Sequence, residues 1–166
     1  MPDVSTEVAI ATTTLSSATG SISFTSIPAT YTDLRVVFTG TDNASAGYTL
    51  RLNYNSDTGN NYSFIRLNGD GSAPYTSANA TVDYIFCGSL PSADIPMFCG
   101  IDIFSYAGST FKTALVTSTT DRNGAGYVNA NIGLWRSTAA ITSVQLALSS
   151  PGAFKIGTTA TLYGIL

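Results

Sequence analysis

Apolar side chains recur at every second position through most of this chain, and they do so without a helical stripe anywhere. In Tyr48-Thr49-Leu50-Arg51-Leu52-Asn53-Tyr54, the residues Tyr48, Leu50, Leu52 and Tyr54 share one face, while Thr49, Arg51 and Asn53 share the other. The same alternation appears in Leu34-Arg35-Val36-Val37-Phe38, Phe64-Ile65-Arg66-Leu67, Val82-Asp83-Tyr84-Ile85-Phe86 and Ile101-Asp102-Ile103-Phe104. It returns in Val144-Gln145-Leu146-Ala147-Leu148 and from Ala160 to Ile165. No stretch holds apolar residues at i, i+3, i+4 and i+7 without Gly, Pro or a β-branched cluster breaking it, so helix is expected to be minor.

Between the runs lie turn clusters, among them Asn55-Ser56-Asp57-Thr58-Gly59-Asn60, Asn68-Gly69-Asp70-Gly71, Ala107-Gly108-Ser109 and Arg122-Asn123-Gly124-Ala125-Gly126. Their Gly and Asn residues accept the positive φ of tight reversals. About eight to eleven strands separated in this way predict an all-β fold, a two-sheet antiparallel β-sandwich of the jelly-roll kind. Strands with one apolar face need a second sheet to cover it. The 166 residues suit one domain, long enough to bury roughly 70% of the surface of the unfolded chain.

The segment SFTSIPATYTDLRVVFTG, residues 23–40, shows how two strands are joined. Pro28 fixes its own φ and pushes Ile27 toward an extended conformation, so a strand ends near Ser26 and the chain reverses before Tyr31. Phe24 and Ile27 then meet Leu34, Val36 and Phe38 in one core, with Tyr31 expected as the anchor of the corner.

Charge excludes several functions. Only 10% of residues are charged, against roughly 25% in an average soluble protein, and the net charge is −3. Seven basic residues are scattered singly, with no stripe to follow a phosphate backbone, so nucleic acid is not an expected partner. No apolar run is long enough to cross a membrane as a helix, and the start MPDVSTEVAIATTTL lacks the basic and apolar regions of a secretory signal. A soluble protein made in the cytoplasm is expected, with Cys87 and Cys99 as buried free thiols rather than a disulfide.

The chain contains no histidine, which removes the usual general base for a Ser or Cys nucleophile and the commonest zinc ligand. A glycosidase needs two carboxylates roughly 5–10 Å apart. The ten acids are spread almost evenly along the chain, mostly in turns or on polar strand faces, and read as solvated surface groups, which leaves an enzyme as a remote third reading. The loop from Asn55 to Asn61 superficially resembles a calcium loop but lacks the acid-rich pattern and closing Glu. Asn68-Gly69-Asp70-Gly71-Ser72 has no following helix or Lys for a phosphate. No enzyme, metal or cofactor is expected. Aromatic residues remain as candidates for contact, because Tyr and Trp combine rigid area with one polar tip. Tyr75, Tyr106 and Tyr127 lie near turns and are expected on the rim of an interface, while Trp135 suits rim or core.

Three segments in order, Phe24 through Leu34, then Ser56-Asp57-Thr58-Gly59-Asn60-Asn61-Tyr62-Ser63, then Gly133-Leu134-Trp135-Arg136-Ser137 continuing to Thr161-Leu162-Tyr163-Gly164-Ile165, carry a resemblance. From about Ala9 to Ile165 the chain resembles a group of virion structural proteins of tailed bacteriophages, including cyanophages and other aquatic phages. That resemblance brings no catalytic residues. It implies a capsid decoration (cement) protein on the virion surface that binds the major capsid protein, often as a homotrimer. A second reading is a tail-fibre or receptor-binding module that recognises host-surface glycans. Termini fray unless tied down, and residues 1–8 are expected to form an arm on a neighbour ahead of the domain at 9–166. Pro2, Asp3, Val4 and Ser5 are its expected contacts.

Overall fold

A computed structural model describes residues 6–43, 47–91 and 95–166. Among these residues the chain is all-β without helix, in twelve strands: β1 (Glu7–Thr14), β2 (Ser21–Phe24), β3 (Asp33–Gly40), β4 (Thr49–Tyr54), β5 (Tyr62–Gly69), β6 (Tyr75–Val82), β7 (Ile85–Ser89), β8 (Met97–Phe104), β9 (Lys112–Asp121), β10 (Gly126–Trp135), β11 (Val144–Leu148) and β12 (Thr159–Ile165). They form a β-sandwich of two antiparallel sheets. The larger has the order β1-β12-β3-β8-β9-β10-β5-β6, and the smaller β2-β11-β4-β7.

The alternation predicted from sequence sets the core. Leu34, Val36 and Phe38 of β3, Ile101 and Ile103 of β8, and Leu162 of β12 point from the large sheet. They meet Ile22 and Phe24 of β2, Leu50 and Leu52 of β4, and Val144 and Leu146 of β11. Each such side chain contributes about 1.5–3 kcal/mol of transfer free energy on burial. Cys87 and Cys99 are free thiols buried in the same core.

Several expectations change. The described residues hold twelve strands, one of them β6, an edge strand with mostly exposed side chains that lacks the buried alternating face by which a strand shows in sequence. The run Val82 to Phe86 is not one strand: it bends at Asp83-Tyr84, where the chain leaves β6 in the large sheet and enters β7 in the small one. The Pro28 corner likewise carries the chain from β2 to β3 across the sandwich, and Ile27 is buried there as expected.

The anchor of that corner is Tyr106, not Tyr31. The Tyr106 hydroxyl donates to the Pro28 carbonyl and accepts the Tyr31 N–H at 3.3 Å. Tyr31 is half-buried, its ring lying where a Cβ on Gly164 would come within 2.3 Å of it. Tyr106 has no exposed surface, which removes it from the interface rim where the sequence placed it. In sequence a turn-proximal Tyr reads the same whether its hydroxyl meets a backbone partner, as here, or solvent. At the N-terminus, Glu7 and Val8 belong to β1 and pair with Ile165 and Gly164 of β12. The expected contacts Pro2, Asp3, Val4 and Ser5 lie outside the described residues.

Candidate functional site: an inverted extension of the large sheet

Strands β9, β10, β5 and β6 extend the large sheet, and β7, at the edge of the small sheet, lies against β9, β10 and β5. Toward the Gly126 end of this extension the polarity of the faces is reversed, although Tyr62, Phe64, Ala114, Val116 and Trp135 still turn apolar side chains inward. The buried inward positions include Asn68 of β5, Ser118 and Thr120 of β9, and Asn129 and Asn131 of β10. The outward positions carry Ile65, Leu67, Leu115, Val128 and Ile132, with Ile65 64% exposed and Val128 and Ile132 59% exposed.

Strand register makes the outward residues contiguous. Ile65 pairs with Ile132 and Ile132 with Leu115, while Leu67 pairs with Ala130 in the next row. A groove of about 440 Å³ runs between them, with Thr76 on its flank. The first row continues across the sheet from Leu115 to Asp102 and from Asp102 to Arg35. There the character changes: Arg35 donates to Asp102 at 2.6 Å and to Glu7 at 2.5 Å, forming a charged cluster at the border of the apolar patch. Soluble monomers seldom expose a large contiguous apolar patch, and such a patch rimmed by polar groups marks a contact surface.

On the opposite, inward side, a pocket of about 430 Å³ opens between the extension and the end of β7. Arg66, Asn68, Tyr75, Phe86, Arg122 and Asn129 line it. The Arg66 guanidinium lies 4.5 Å from the Phe86 ring centroid and 5.5 Å from that of Tyr75, and its Nε–H donates to Ser77 Oγ at 2.7 Å. Asp70 also borders the pocket; hydrogen bonds from the Ser72 side chain and backbone hold its carboxyl below the ordinary range.

Two tyrosines selected from sequence therefore meet in one place. Tyr75 is 46% exposed on the pocket wall. Tyr127 also lines it, but its hydroxyl is occupied, donating to the Ser89 carbonyl and accepting the Ser89 N–H at 2.8 Å. Burial, opposed by the Ser89 backbone hydrogen bond, pushes the Tyr127 phenol up to about 12. Tyr127 is a structural pin between β10 and β7, and only its ring is available to a ligand.

The loop at Asn55–Asn61 has a structural partner. Trp135 is buried, and its indole N–H donates to Asp57 Oδ2 at 2.7 Å. Asn61 and the Gly59 N–H donate to the same carboxylate, and Arg136 donates to the Asn60 carbonyl at 2.7 Å. Burial pushes the Asp57 carboxyl up, yet these hydrogen bonds outweigh it and hold the group below its ordinary value. Its oxygens serve the fold. Among the described residues no group of three or more Cys, Asp, Glu or His side chains is placed to hold a metal ion.

Sequence reasoning missed Arg66, Arg122, Asn68 and Asn129 as pocket residues, and the apolar patch as a surface. Alternation in Ile65-Arg66-Leu67 and in Asn129-Ala130-Asn131-Ile132 announces two unlike faces. It does not say which face turns inward, since apolar-in is the ordinary solution. Searched against known protein families the chain matches none, and no curated protein matches it.

Proposed function

We propose that this chain is a non-enzymatic virion structural protein of a tailed bacteriophage, a capsid decoration (cement) protein. It docks on the major capsid protein lattice through the outward face of the β9-β10-β5-β6 extension. The observation that carries the docking is the contiguous row of exposed Ile65, Ile132 and Leu115 beside Leu67 and Val128, free of charge and bordered by the Arg35-Asp102-Glu7 cluster. The virion setting follows from the resemblance in the three sequence segments. Mechanically, cementing is linkage. A protein that binds only the assembled lattice stabilises that lattice by mass action, without a chemical step.

The strand order supports a jelly-roll ancestry for this design. Without the β5-β6 and β9-β10 hairpins, eight strands remain in two four-stranded orders, β1-β12-β3-β8 and β2-β11-β4-β7, with the chain passing repeatedly from one sheet to the other. The two hairpins then read as insertions that widen one sheet. They carry the apolar patch outward while Tyr62, Ala114, Val116 and Trp135 join them to the sandwich core.

The test adds purified protein to capsids that lack it. Saturable binding at lattice sites, with raised resistance to heat or osmotic shock, is the expected result. Binding to host cells with none to capsids would overturn the decoration reading in favour of the receptor-binding one.

A further inference from the structure

We propose that the inward pocket of the extension binds a carboxylated pyranose, a uronic-acid unit, independently of the docking face. The site is built, not a surface dimple. Asn129 is 2% exposed and lines the pocket, and its Oδ1 has no hydrogen-bond partner although its Nδ2–H donates to Ser118 Oγ at 3.3 Å. A buried acceptor left unpaired is costly, and a slight turn of the amide toward the pocket would present it to a ligand hydroxyl. Asn68, 5% exposed, places a second amide in the same wall.

Two guanidinium groups define the charge of the ligand. Arg66 is clamped by Phe86, Tyr75 and Ser77 through its ring contacts and Nε, and Arg122 donates its Nε–H to the Ala125 carbonyl at 3.2 Å. Neither forms a salt bridge among the described residues. Both are held at Nε, which leaves the terminal nitrogens for a planar anion, and a carboxylate suits such a fork. The Asp70 carboxyl on the same rim reduces the described lining to one net positive charge (Arg66 and Arg122 against Asp70), matching a singly charged ligand better than a phosphate dianion. The half-exposed Tyr75 ring supplies the flat apolar wall that one face of a sugar ring requires. A cavity of about 430 Å³ falls at the small end of ligand pockets, which limits the occupant to a sugar or two.

The pocket lies on the opposite side of the sheet from the docking patch, so either reading can fail alone. The experiment is a titration of the isotope-labelled full chain followed by nuclear magnetic resonance, with sodium glucuronate, sodium galacturonate, glucose, sodium acetate and inorganic phosphate as separate probes. Saturable shifts of the Asn129 side-chain amide and Arg66 Nε–H with a uronate are expected, with affinity at least about tenfold above that for glucose, acetate or phosphate. Arg122→Ala, in an exposed turn, is expected to weaken uronate binding roughly tenfold or more without changing thermal stability, and Tyr75→Ala to weaken it with the fold intact. Tetragalacturonate binding tighter than galacturonate would support a polysaccharide source, and equal binding a free sugar. Absence of saturable shifts, equal response to acetate, phosphate or glucose, or an unaffected Arg122→Ala protein would overturn the proposal.

Discussion

Trp135 and Asp57 stand 78 positions apart, yet the 2.7 Å hydrogen bond between them ties the end of β10 to the loop before β5. Replacing Asp57 by Ala leaves the buried indole N–H and the Gly59 N–H without their acceptor, an expected loss of about 2–3 kcal/mol by chemical denaturation. The same carboxyl makes a pH prediction. Its folded-state value is depressed, so its stabilisation is fully present above the unfolded value of about 4 and is lost as pH falls through the lower folded value. A Trp135→Phe variant removes one of the depressing donors, and its melting temperature should fall less steeply with acid below about pH 4 than that of the parent. Tyr106→Phe provides a comparison without a charge: it removes the link between Pro28 and Tyr31 and should cost about 1–2 kcal/mol by chemical denaturation.

At the scale of elements, close approach of the two sheets decides what β7 tolerates. Gly88 has φ +117°, and a Cβ there would lie 2.6 Å from Ser118 Oγ on β9 and 3.1 Å from Met97 sulfur on β8. Gly88→Ala therefore combines backbone strain with overpacking and is expected to cost about 3 kcal/mol or more, measured as a shift of the denaturation midpoint. The neighbouring thiols should be inert. Cys87 has no exposed surface, and burial pushes its pKa well up, so neither Cys87 nor Cys99 should react with a thiol reagent until denaturant is added. These elements also show where sequence was legible. β3, β4, β8, β11 and β12 bury one apolar face in the core, and their alternation placed them. β6 sits at an edge with both faces largely open, and no periodicity could mark it. In β5 the alternation was visible and its sense was not, because Phe64 and Asn68 face inward while Ile65 and Leu67 face out. Tyr75 was found as an exposed aromatic, whereas Arg66 and Asn129 became pocket residues only when β5, β10 and β7 converged.

For the whole molecule, the division of labour between the sandwich and its extension can be tested by a change that spares folding. Ile65 and Ile132 form a directly opposed pair on the outward face, each well over half exposed, so neither contributes much buried area to the isolated chain. Lysine at these positions would lose some strand preference, a cost of about 1 kcal/mol or less per site. It would also place two ammonium groups side by side in the middle of the patch. If the patch docks on a protein surface, those charges would be desolvated without partners on binding, a penalty of several kcal/mol per ion. The Ile65→Lys/Ile132→Lys protein should therefore melt within a few degrees of the parent while its binding to capsids falls below detection. A control of the same chemistry, Val8→Lys on edge strand β1, should bind normally if the extension alone makes the contact. Equal binding by parent and double variant, with stability retained, would move the docking surface off these strands and leave the two hairpins without the role assigned to them.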